Sequence, residues 1–286
     1  MKRPAQSSGK PPASAAAPRP RPAFPARLDT APTPAVYKPG TSAALRPVAA
    51  AVPTPVAKRV VTPIGHGAPA SVGMDSVAVR TAMVRKLQGQ GIVHAGVLAA
   101  MQAVERHRFV DTALANQAYE DTSLPIGLGQ TISKPSVVAR MLELLCQGRE
   151  EKLGRVLDIG TGCGYQAAVL SHLAREVYSM ERLRSLNDKA RDNLRAFRVA
   201  NLHLLFGDGM LGYAQGAPYA GIVAAAGGND VPQAWIDQLA VGGRLVAPAV
   251  TTHGQQHLVV IDKTAQGLVR SVLEPVLFVP LKSGIA

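Results

Sequence analysis

A strand, a glycine-rich turn and a helix follow one another over residues 156–174, and this order constrains the fold more than any other feature of the chain. Val156, Leu157 and Ile159 form the apolar run that is typical of a strand covered on both faces. Glycine at every second position of the turn lets the backbone bend sharply and lets a ligand approach it closely. These glycines are Gly160, Gly162 and Gly164. We therefore expect a ligand at the carboxyl end of a parallel strand, next to a helix N-terminus.

From residue 155 onward, segments with the apolar pattern of strands alternate with segments whose apolar residues recur at helical spacing. The predicted strands are 155–159, 177–181, 203–206, 220–225, 243–249, 257–262 and 275–280. The predicted helices among them are 165–174, 183–197 and 232–240. This alternation predicts an α/β fold with a doubly wound, Rossmann-like sheet that is mostly parallel. The C-terminal strands are expected to pair antiparallel, because their connections are short.

The part of the chain before this alternation divides into an arm and a helical cap. Residues 1–70 hold 15 of the 22 prolines and show no lasting period, so they predict a disordered, Pro/Ala-rich basic arm. Residues 71–286 form the predicted folded domain. It opens with an N-terminal helical cap, whose helices are expected near 75–88, 95–104 and 136–145. The Gly- and Pro-containing segment 119–135 is predicted to be a loop.

The net charge of +12 belongs mostly to the arm. Residues 1–70 contain ten Lys and Arg against one acidic residue, a net charge of +9, and the rest of the chain has 21 against 18, or +3. The charge is therefore no evidence for a nucleic-acid groove on the folded part. We favour a solvated tail without a dedicated ligand. A loose electrostatic tether to RNA or to an anionic partner, or a transit peptide, is the alternative.

Composition also excludes several classes of protein. No apolar run approaches 18 residues and no apolar stretch follows the basic N-terminus, so we expect neither a membrane span nor a secretory signal. The two cysteines, Cys146 and Cys163, are too few for a disulfide scaffold and fit a reducing cytoplasm. The seven histidines lack the spacing of metal ligands, and no metal is expected.

Acidic residues stand at the ends of three successive predicted strands. Asp158 is at the entrance of the glycine turn, Glu181 ends the next strand, and Asp208 follows in a Gly-Asp-Gly turn. A carboxylate at the entrance repels a pyrophosphate but suits an ammonium group, and the other two can accept from a ribose diol and an adenine amine. The turn also lacks the Gly-x-Gly-x-x-Gly spacing of dinucleotide sites. Each acid alone is explained equally well as a cap or turn residue, but together they predict S-adenosylmethionine.

The sequence resembles the protein-L-isoaspartate O-methyltransferase family of class I methyltransferases, from about residue 77 to the C-terminus. The matching motifs are 124–135, 158–166, 207–209, 242–248 and 278–281. The most specific part is Gly-Gln-Thr-Ile-Ser-x-Pro at 129–135, which other methyltransferases lack. The chain departs from the family at Tyr219-Ala220, where Phe-Asp is usual, and at Glu105, where the family usually has proline.

This resemblance implies that residues 71–286 are a methyltransferase domain acting on isoaspartyl-containing proteins and peptides. The methyl group of S-adenosylmethionine would pass to the free α-carboxylate of an L-isoaspartyl residue, and repair would follow through a succinimide. From the sequence alone, Ser133 can either cap the next helix or bind substrate. The resemblance implies that it is the active-site residue. We expect a monomer without membrane attachment, and no nucleic-acid partner for the folded domain.

The motifs together predict the site residues. The predicted cofactor-binding residues are Gln130, Thr131, Ile132, Asp158, Gly160, Thr161, Gly162, Cys163, Gly164, Glu181, Arg182, Gly207, Asp208 and Gly209. The predicted substrate-binding residues are Ile126, Ser133, Val279 and Pro280. Cys163 has no evident activating cation or histidine, so it is interpreted as a small loop residue and not as a nucleophile.

Two other functions compete with this interpretation. A class I methyltransferase acting on RNA or another acceptor is suggested by the basic arm, but the nearly neutral folded domain and the absence of an Asn-Pro-Pro-Tyr-like motif weaken it. A non-catalytic binding protein with the same fold is disfavoured by the three acids and Ser133. The glycine spacing disfavours a dehydrogenase.

Overall fold

The computed structural model describes residues 77–251 and 254–286. Its strands are β1 (Leu124–Gly127), β2 (Gln130–Ile132), β3 (Leu153–Ile159), β4 (Ala174–Glu181), β5 (Leu202–Phe206), β6 (Tyr219–Ala224), β7 (Leu239–Val250), β8 (Gln256–Thr264) and β9 (Gly267–Pro275). Seven of them form one sheet in the order β5-β4-β3-β6-β7-β8-β9. The pairs from β5 to β7 are parallel, and β8 and β9 are added antiparallel. The predicted mostly parallel, doubly wound sheet with antiparallel C-terminal strands is confirmed.

Strand β3 marks the point where the strand order reverses. The chain proceeds from β3 through β4 to β5 on one side and then returns to place β6 on the other side of β3. Ile159, the last residue of β3, is paired with Met180 of β4 and Ala224 of β6. Ligands of open α/β sheets bind outside the carboxyl ends of the strands at such a reversal. The glycine turn follows Ile159 directly and therefore lies at this position.

Helices cover both faces of the sheet. They are α1 (Val77–Gly89), α2 (Ala95–Ala103), α3 (Pro135–Cys146), α4 (Tyr165–Leu173), α5 (Arg184–Arg195) and α6 (Gln233–Gln238). Val156 of β3 packs in the core shared with α1–α5, and its neighbour Leu157 packs in the core shared with α6. Both side chains are fully buried, which explains the continuous apolar run of this strand.

Two predicted segments differ from the structure. The strand predicted at 275–280 is wrong, because β9 ends at Pro275. The tight turn between Thr264 and Gly267 instead returns the chain immediately as a β8–β9 hairpin. The loop predicted at 119–135 contains the β1–β2 hairpin, whose turn residues 127–129 all have positive φ. The proposed start of α1 at residues 75–76 lies outside the described residues.

In the described residues, no helix has both the length and the apolar character needed to cross a membrane. The same residues contain no cluster of three or more His, Cys, Asp or Glu side chains suited to a metal ion.

Candidate active site

A cavity of about 500 Å³ opens at the carboxyl ends of β3 and β4, and we call it the glycine-loop cavity. Its walls come from the β1–β2 hairpin, the glycine turn, the end of β4 and the C-terminal segment. Of the predicted site residues, those on its wall are Ile126, Gln130, Thr131, Gly160, Gly162, Glu181, Arg182, Gly209, Val279 and Pro280. Its volume is typical of a small-molecule site.

The glycine turn is fixed to the neighbouring strand. The backbone N–H groups of Gly160 and Thr161 both donate to the Met180 carbonyl, at 2.9 and 3.2 Å. Gly160, Gly162 and Gly164 all have φ in the left-handed region, between 55° and 96°. Only glycine adopts this conformation without strain, so the alternate glycines give the turn its shape. The backbone can then face the cavity without side chains in the way.

Glu181 serves both the loop and the cavity. One of its carboxylate oxygens accepts from the Gly162 N–H at 2.9 Å, and the other accepts from the Leu183 N–H at 3.0 Å. The residue is 6% exposed and lies on the cavity wall. Each oxygen retains a second acceptor position, so the carboxylate can also receive the hydroxyls of a ribose. The N-cap residue of α5 is Leu183, so the interpretation of Glu181 as the cap of this helix is wrong, while the carboxylate stays able to bind a ligand.

Asp158 lies behind the glycine turn and not on the cavity wall. The predicted contact between its carboxylate and the ammonium group of a ligand would require it to be on that wall. The residue is fully buried, and its two oxygens accept from Gln166 Nε2 at 2.8 Å and Ser179 Oγ at 2.7 Å. The Ser179 hydroxyl lies 2.7 Å from Thr161 Oγ1, so this network supports the turn. Burial raises the pKa of the Asp158 carboxyl to about 6, against the effect of these two hydrogen bonds.

This pKa shift predicts a pH-dependent stability. Between the ordinary value of 3.8 and about 6, native Asp158 holds a proton that the unfolded chain releases, so the free energy of unfolding should fall as pH rises through this window. The expected loss is roughly 1–3 kcal/mol, complete above the folded pKa. Urea unfolding of wild type and Asp158→Asn between pH 4 and 7 measures it. The difference in the free energy of unfolding between wild type and Asp158→Asn should change across this window, and a constant difference would contradict the prediction.

The Gly-Asp-Gly turn is joined to the end of the chain. One Asp208 oxygen accepts from the Met210 N–H at 2.9 Å, and the other accepts from the Gly284 N–H at 2.6 Å. Gly209 faces the cavity, and neither Gly207 nor Asp208 is on its wall. A side chain at Gly209 would place its Cβ 2.7 Å from Ile159 Cγ2, so glycine is required there by close packing.

Residues 279–282 form part of the wall of the glycine-loop cavity, and residues 283–286 continue from it to the start of α5. We call residues 279–286 the C-terminal strap. The Val279 carbonyl accepts from the Gly227 N–H at 2.9 Å, and the Leu281 N–H donates to the Gly227 carbonyl at 2.9 Å. Ala286 exchanges two backbone hydrogen bonds of 2.8 Å with the segment 182–184. The motif at 278–281 predicts either a segment that holds the substrate backbone by strand-like hydrogen bonds or a terminal edge strand, and in the structure its backbone bonds to Gly227.

Ser133 lies beside a second cavity of about 430 Å³, which we call the Ser133 cavity. Thr131, Ala225 and Val279 line both cavities, so the two adjoin. Ser133 also shares a smaller space of about 40 Å³ with the glycine turn. This smaller space is also lined by Ile132, Thr161 and Cys163, none of which lines either of the two larger cavities.

The cap of α3 is not Ser133. The N-cap residue is Lys134, which makes no side-chain capping bond, and the Ser136 N–H donates to Asp121 Oδ1 at 2.9 Å. In the described part of the chain, no group hydrogen-bonds the Ser133 hydroxyl, which is therefore free to donate to a ligand. The competing interpretation of Ser133 as a helix cap is wrong, because proline at position 135 starts the helix one residue later.

Comparison with known proteins places this geometry in a family. The family model described as protein-L-isoaspartate(D-aspartate) O-methyltransferase matches residues 78–286. The chain belongs to this family. The predicted reaction, methylation of isoaspartyl residues with S-adenosylmethionine as the donor, is thereby confirmed.

Relatives and solved structures agree with the assignment. A protein-L-isoaspartate O-methyltransferase of Methylibium petroleiphilum is 64% identical over 219 residues, which cover 76% of this chain and 81% of that protein. A protein-L-isoaspartate O-methyltransferase of Leptothrix cholodnii is 58% identical over 218 residues, which cover 75% of this chain and 77% of that protein. A solved structure of a protein-L-isoaspartate O-methyltransferase is 27% identical and has a TM-score of 0.64. The match covers 72% of this chain and 67% of the other. A putative protein-L-isoaspartate O-methyltransferase of Plasmodium falciparum, solved in complex with S-adenosyl-L-homocysteine, shares the fold. It is 22% identical with a TM-score of 0.61, and the match covers 71% of this chain and 98% of the other.

The glycine-loop cavity fits the methyl donor of the family. It is large enough for a nucleoside with an amino-acid tail, and Glu181 offers acceptors for a ribose diol. This ligand has no phosphate, so the site needs no pyrophosphate-binding turn, and Arg182 and Lys282 on the wall can meet its carboxylate.

Proposed function

We propose that the protein methylates the free α-carboxylate of L-isoaspartyl residues in damaged proteins and peptides, with Ser133 as its catalytic residue. The observation that supports this is the junction between the two cavities, where Thr131, Ala225 and Val279 belong to both walls. The methyl donor would occupy the glycine-loop cavity, and the acceptor carboxylate would enter from the Ser133 cavity. Ser133 stands beside this junction with a free hydroxyl.

The acceptor needs no general base. A carboxylate with a pKa near ~4 is already ionised at neutral pH. S-adenosylmethionine, when bound, supplies a methyl group on a positively charged sulfur, so the two charges neutralise during transfer. Water stabilises separated charges, and the protein's task is therefore to exclude water and align the carboxylate. The apolar wall at 275–279 of the Ser133 cavity suits this task.

A single hydroxyl donor is well matched to this nucleophile. Ser133 Oγ can hold one carboxylate oxygen by a hydrogen bond and leave the other free to attack. A direct ion pair would bind the nucleophile more tightly and lower its reactivity. Of the predicted substrate residues, Val279 lines both cavities, and Ile126 and Pro280 line the glycine-loop cavity. We propose that they contact the isoaspartyl residue where its carboxylate reaches the methyl donor.

We propose two kinds of role for the predicted cofactor-binding residues. Those on the cavity wall would contact the ligand, with Glu181 accepting from the ribose hydroxyls. Asp158 would instead hold the glycine turn through Gln166 and Ser179. Asp208 would hold the strap through Gly284 and take an adenine amine on a remaining lone pair.

Methylation would start the repair of the peptide bond. Methoxide is a far better leaving group than the oxide of a free carboxylate, so the next backbone nitrogen attacks the ester carbonyl, loses its proton, and the methoxy group departs as methanol. The resulting succinimide hydrolyses in part to a normal aspartyl residue.

A paired-peptide assay tests this function. The protein is incubated with methyl-labelled S-adenosylmethionine and two peptides that differ only in an Asp or isoAsp residue. Base-labile label in the isoAsp peptide alone is the expected result. Transfer to bulk RNA in a parallel reaction, with none to either peptide, would contradict the proposal and favour the RNA alternative.

We propose that residues 71–286 are sufficient for this activity, since the family match begins at residue 78. Deletion of residues 1–70 should leave kcat/KM for the isoAsp peptide unchanged within about twofold, an effect below ~0.5 kcal/mol. A large loss would show that the arm takes part in substrate binding. We also propose that the protein is cytoplasmic, because both cysteines are free and buried, and that it is a monomer.

A further inference from the structure

Arg106 is a fully buried arginine that lies directly behind Ser133. Its relative exposure is 0%. Its Nη2 donates to the Ser133 carbonyl at 2.8 Å and its Nε donates to the Ala118 carbonyl at 2.7 Å. A longer contact of 3.4 Å reaches the Thr122 carbonyl. One side chain therefore ties the Ser133 backbone to two other segments of the cap.

Among the described residues, the charge of this guanidinium is only partly offset, by the carboxylate of Asp121, which forms no ion pair with it. All three of its hydrogen-bond acceptors are carbonyl oxygens, and no carboxylate of the described residues forms an ion pair with it. Its Nη1 is buried without a partner among the same residues. The guanidinium carbon also lies 4.8 Å from the ring centroid of Tyr165, which favours a cation. Burial lowers the pKa of Arg106, but a guanidinium stays protonated at neutral pH.

A buried charge without an ion-pair partner is costly, and a neutral donor would tie the same carbonyls together at lower cost. The charge is therefore better explained by an anion that arrives from outside the chain. The acceptor carboxylate is such an anion. Ser133 provides the link, because its carbonyl faces Arg106 and the residue lines the cavity proposed for the acceptor.

We propose that Arg106 is a positioning residue for Ser133 and that its buried charge makes the acceptor site selective for carboxylates. This inference rests on the proposed function. Arg106 does not contact the substrate. Its hydrogen bond to the Ser133 carbonyl, together with those to the Ala118 and Thr122 carbonyls, fixes the position of Ser133, and its field favours an anion at the site. Because the charge acts from behind Ser133 and not as a direct ion pair, it attracts the nucleophile without consuming its lone pairs.

Lys134 is the competing source of positive potential. It is exposed and lines the Ser133 cavity, where no other described residue on the wall has a charged side chain. Water and salt screen an exposed charge much more than a buried one. We therefore expect Arg106, and not Lys134, to dominate the selectivity.

The test compares a carboxylate ligand with a neutral one. Full-length enzyme saturated with S-adenosylhomocysteine is titrated with an isoAsp peptide and with the same peptide carrying an α-carboxamide. The ratio of the two dissociation constants measures selectivity without turnover. The variants are Arg106→Gln, Arg106→Lys and Lys134→Gln, with Arg108→Gln as the control. Arg108 lies on the same short 3₁₀ segment but has a half-exposed side chain paired with Glu105.

Arg106→Gln should lower the selectivity ratio by about tenfold and kcat by at least as much. Arg106→Lys should keep the ratio within about threefold but still lower kcat, because it keeps the charge and loses the fork-shaped geometry. Lys134→Gln should change the ratio less than Arg106→Gln does, and Arg108→Gln should change neither quantity. If Arg106→Gln does not fold, Arg106→Lys provides the test. Loss of carboxylate selectivity in Arg106→Lys would then overturn the proposal.

Two further results would also overturn it. Arg106→Gln with a lowered Tm but unchanged kcat and selectivity would make Arg106 only a structural anchor. Loss of selectivity in Lys134→Gln alone would assign the potential to the surface charge. These outcomes require a wild-type protein that methylates the isoAsp peptide. If it does not, the proposed function itself fails and the inference falls with it.

Discussion

Replacement of Ser133 by alanine should lower kcat for an isoAsp peptide by about 100-fold, the usual effect of losing one well-placed donor in an active site. The hydroxyl has no hydrogen-bond partner within the described chain, and the residue lines the cavity that adjoins the glycine-loop cavity. Its loss should therefore remove a contact with the acceptor and leave the fold intact. The dissociation constant of S-adenosylmethionine should change by less than about twofold, or ~0.4 kcal/mol.

Single-turnover kinetics and calorimetric titration of the cofactor measure these two quantities separately. Ser271→Ala, on the exposed edge strand β9, is the matched control and should behave as wild type. An equal loss of cofactor binding in Ser133→Ala would show that Ser133 belongs to the donor site and not to the acceptor site. Unchanged kcat would remove Ser133 from the mechanism.

Replacement of Glu181 by glutamine should have the opposite pattern and weaken cofactor binding by about 100-fold, or ~2.7 kcal/mol. The wild-type carboxylate accepts from the Gly162 and Leu183 N–H groups. An amide has only one acceptor atom, so one of these buried donors loses its partner and the ribose loses an acceptor. Both the shape of the glycine turn and the ligand contact are affected.

The same titration tests this prediction, with kcat measured at saturating cofactor. Glu176→Gln is the control, because Glu176 lies on the same strand but points to solvent, where it contacts Tyr178 and His203. Cofactor affinity within twofold of wild type in Glu181→Gln would show that Glu181 only holds the backbone at Gly162 and Leu183. Loss of kcat at full saturation would place it in the acceptor chemistry instead.

The sheet and the glycine turn could be predicted from the sequence because they depend on local pattern. The apolar run at Val156 and Leu157 is continuous, since alternate residues enter two different cores. The glycines of the turn are required by positive φ. Glu181 was found because it directly ends a strand next to that turn.

Other features depend on contacts that no local pattern reveals. Arg106 is flanked by His107 and Arg108 in a polar stretch, and its complete burial follows only from the packing of three distant segments around it. Asp158 was expected to meet the ligand, but its burial behind the turn depends on Gln166 and Ser179. The strand predicted at 275–280 is wrong because its apolar residues line the two cavities and do not continue the sheet beyond Pro275.

The most direct test of the account follows the acceptor atom itself. An isoAsp peptide with a ¹³C-labelled α-carboxyl carbon is incubated with the protein and S-adenosylmethionine, and the reaction is followed by NMR. We predict a correlation between new methyl protons and the labelled carbon, which then decays as the succinimide carbonyl signal appears. Methyl protons correlated with any other carbon, or no new methyl signal from protein that binds the cofactor, would contradict the account.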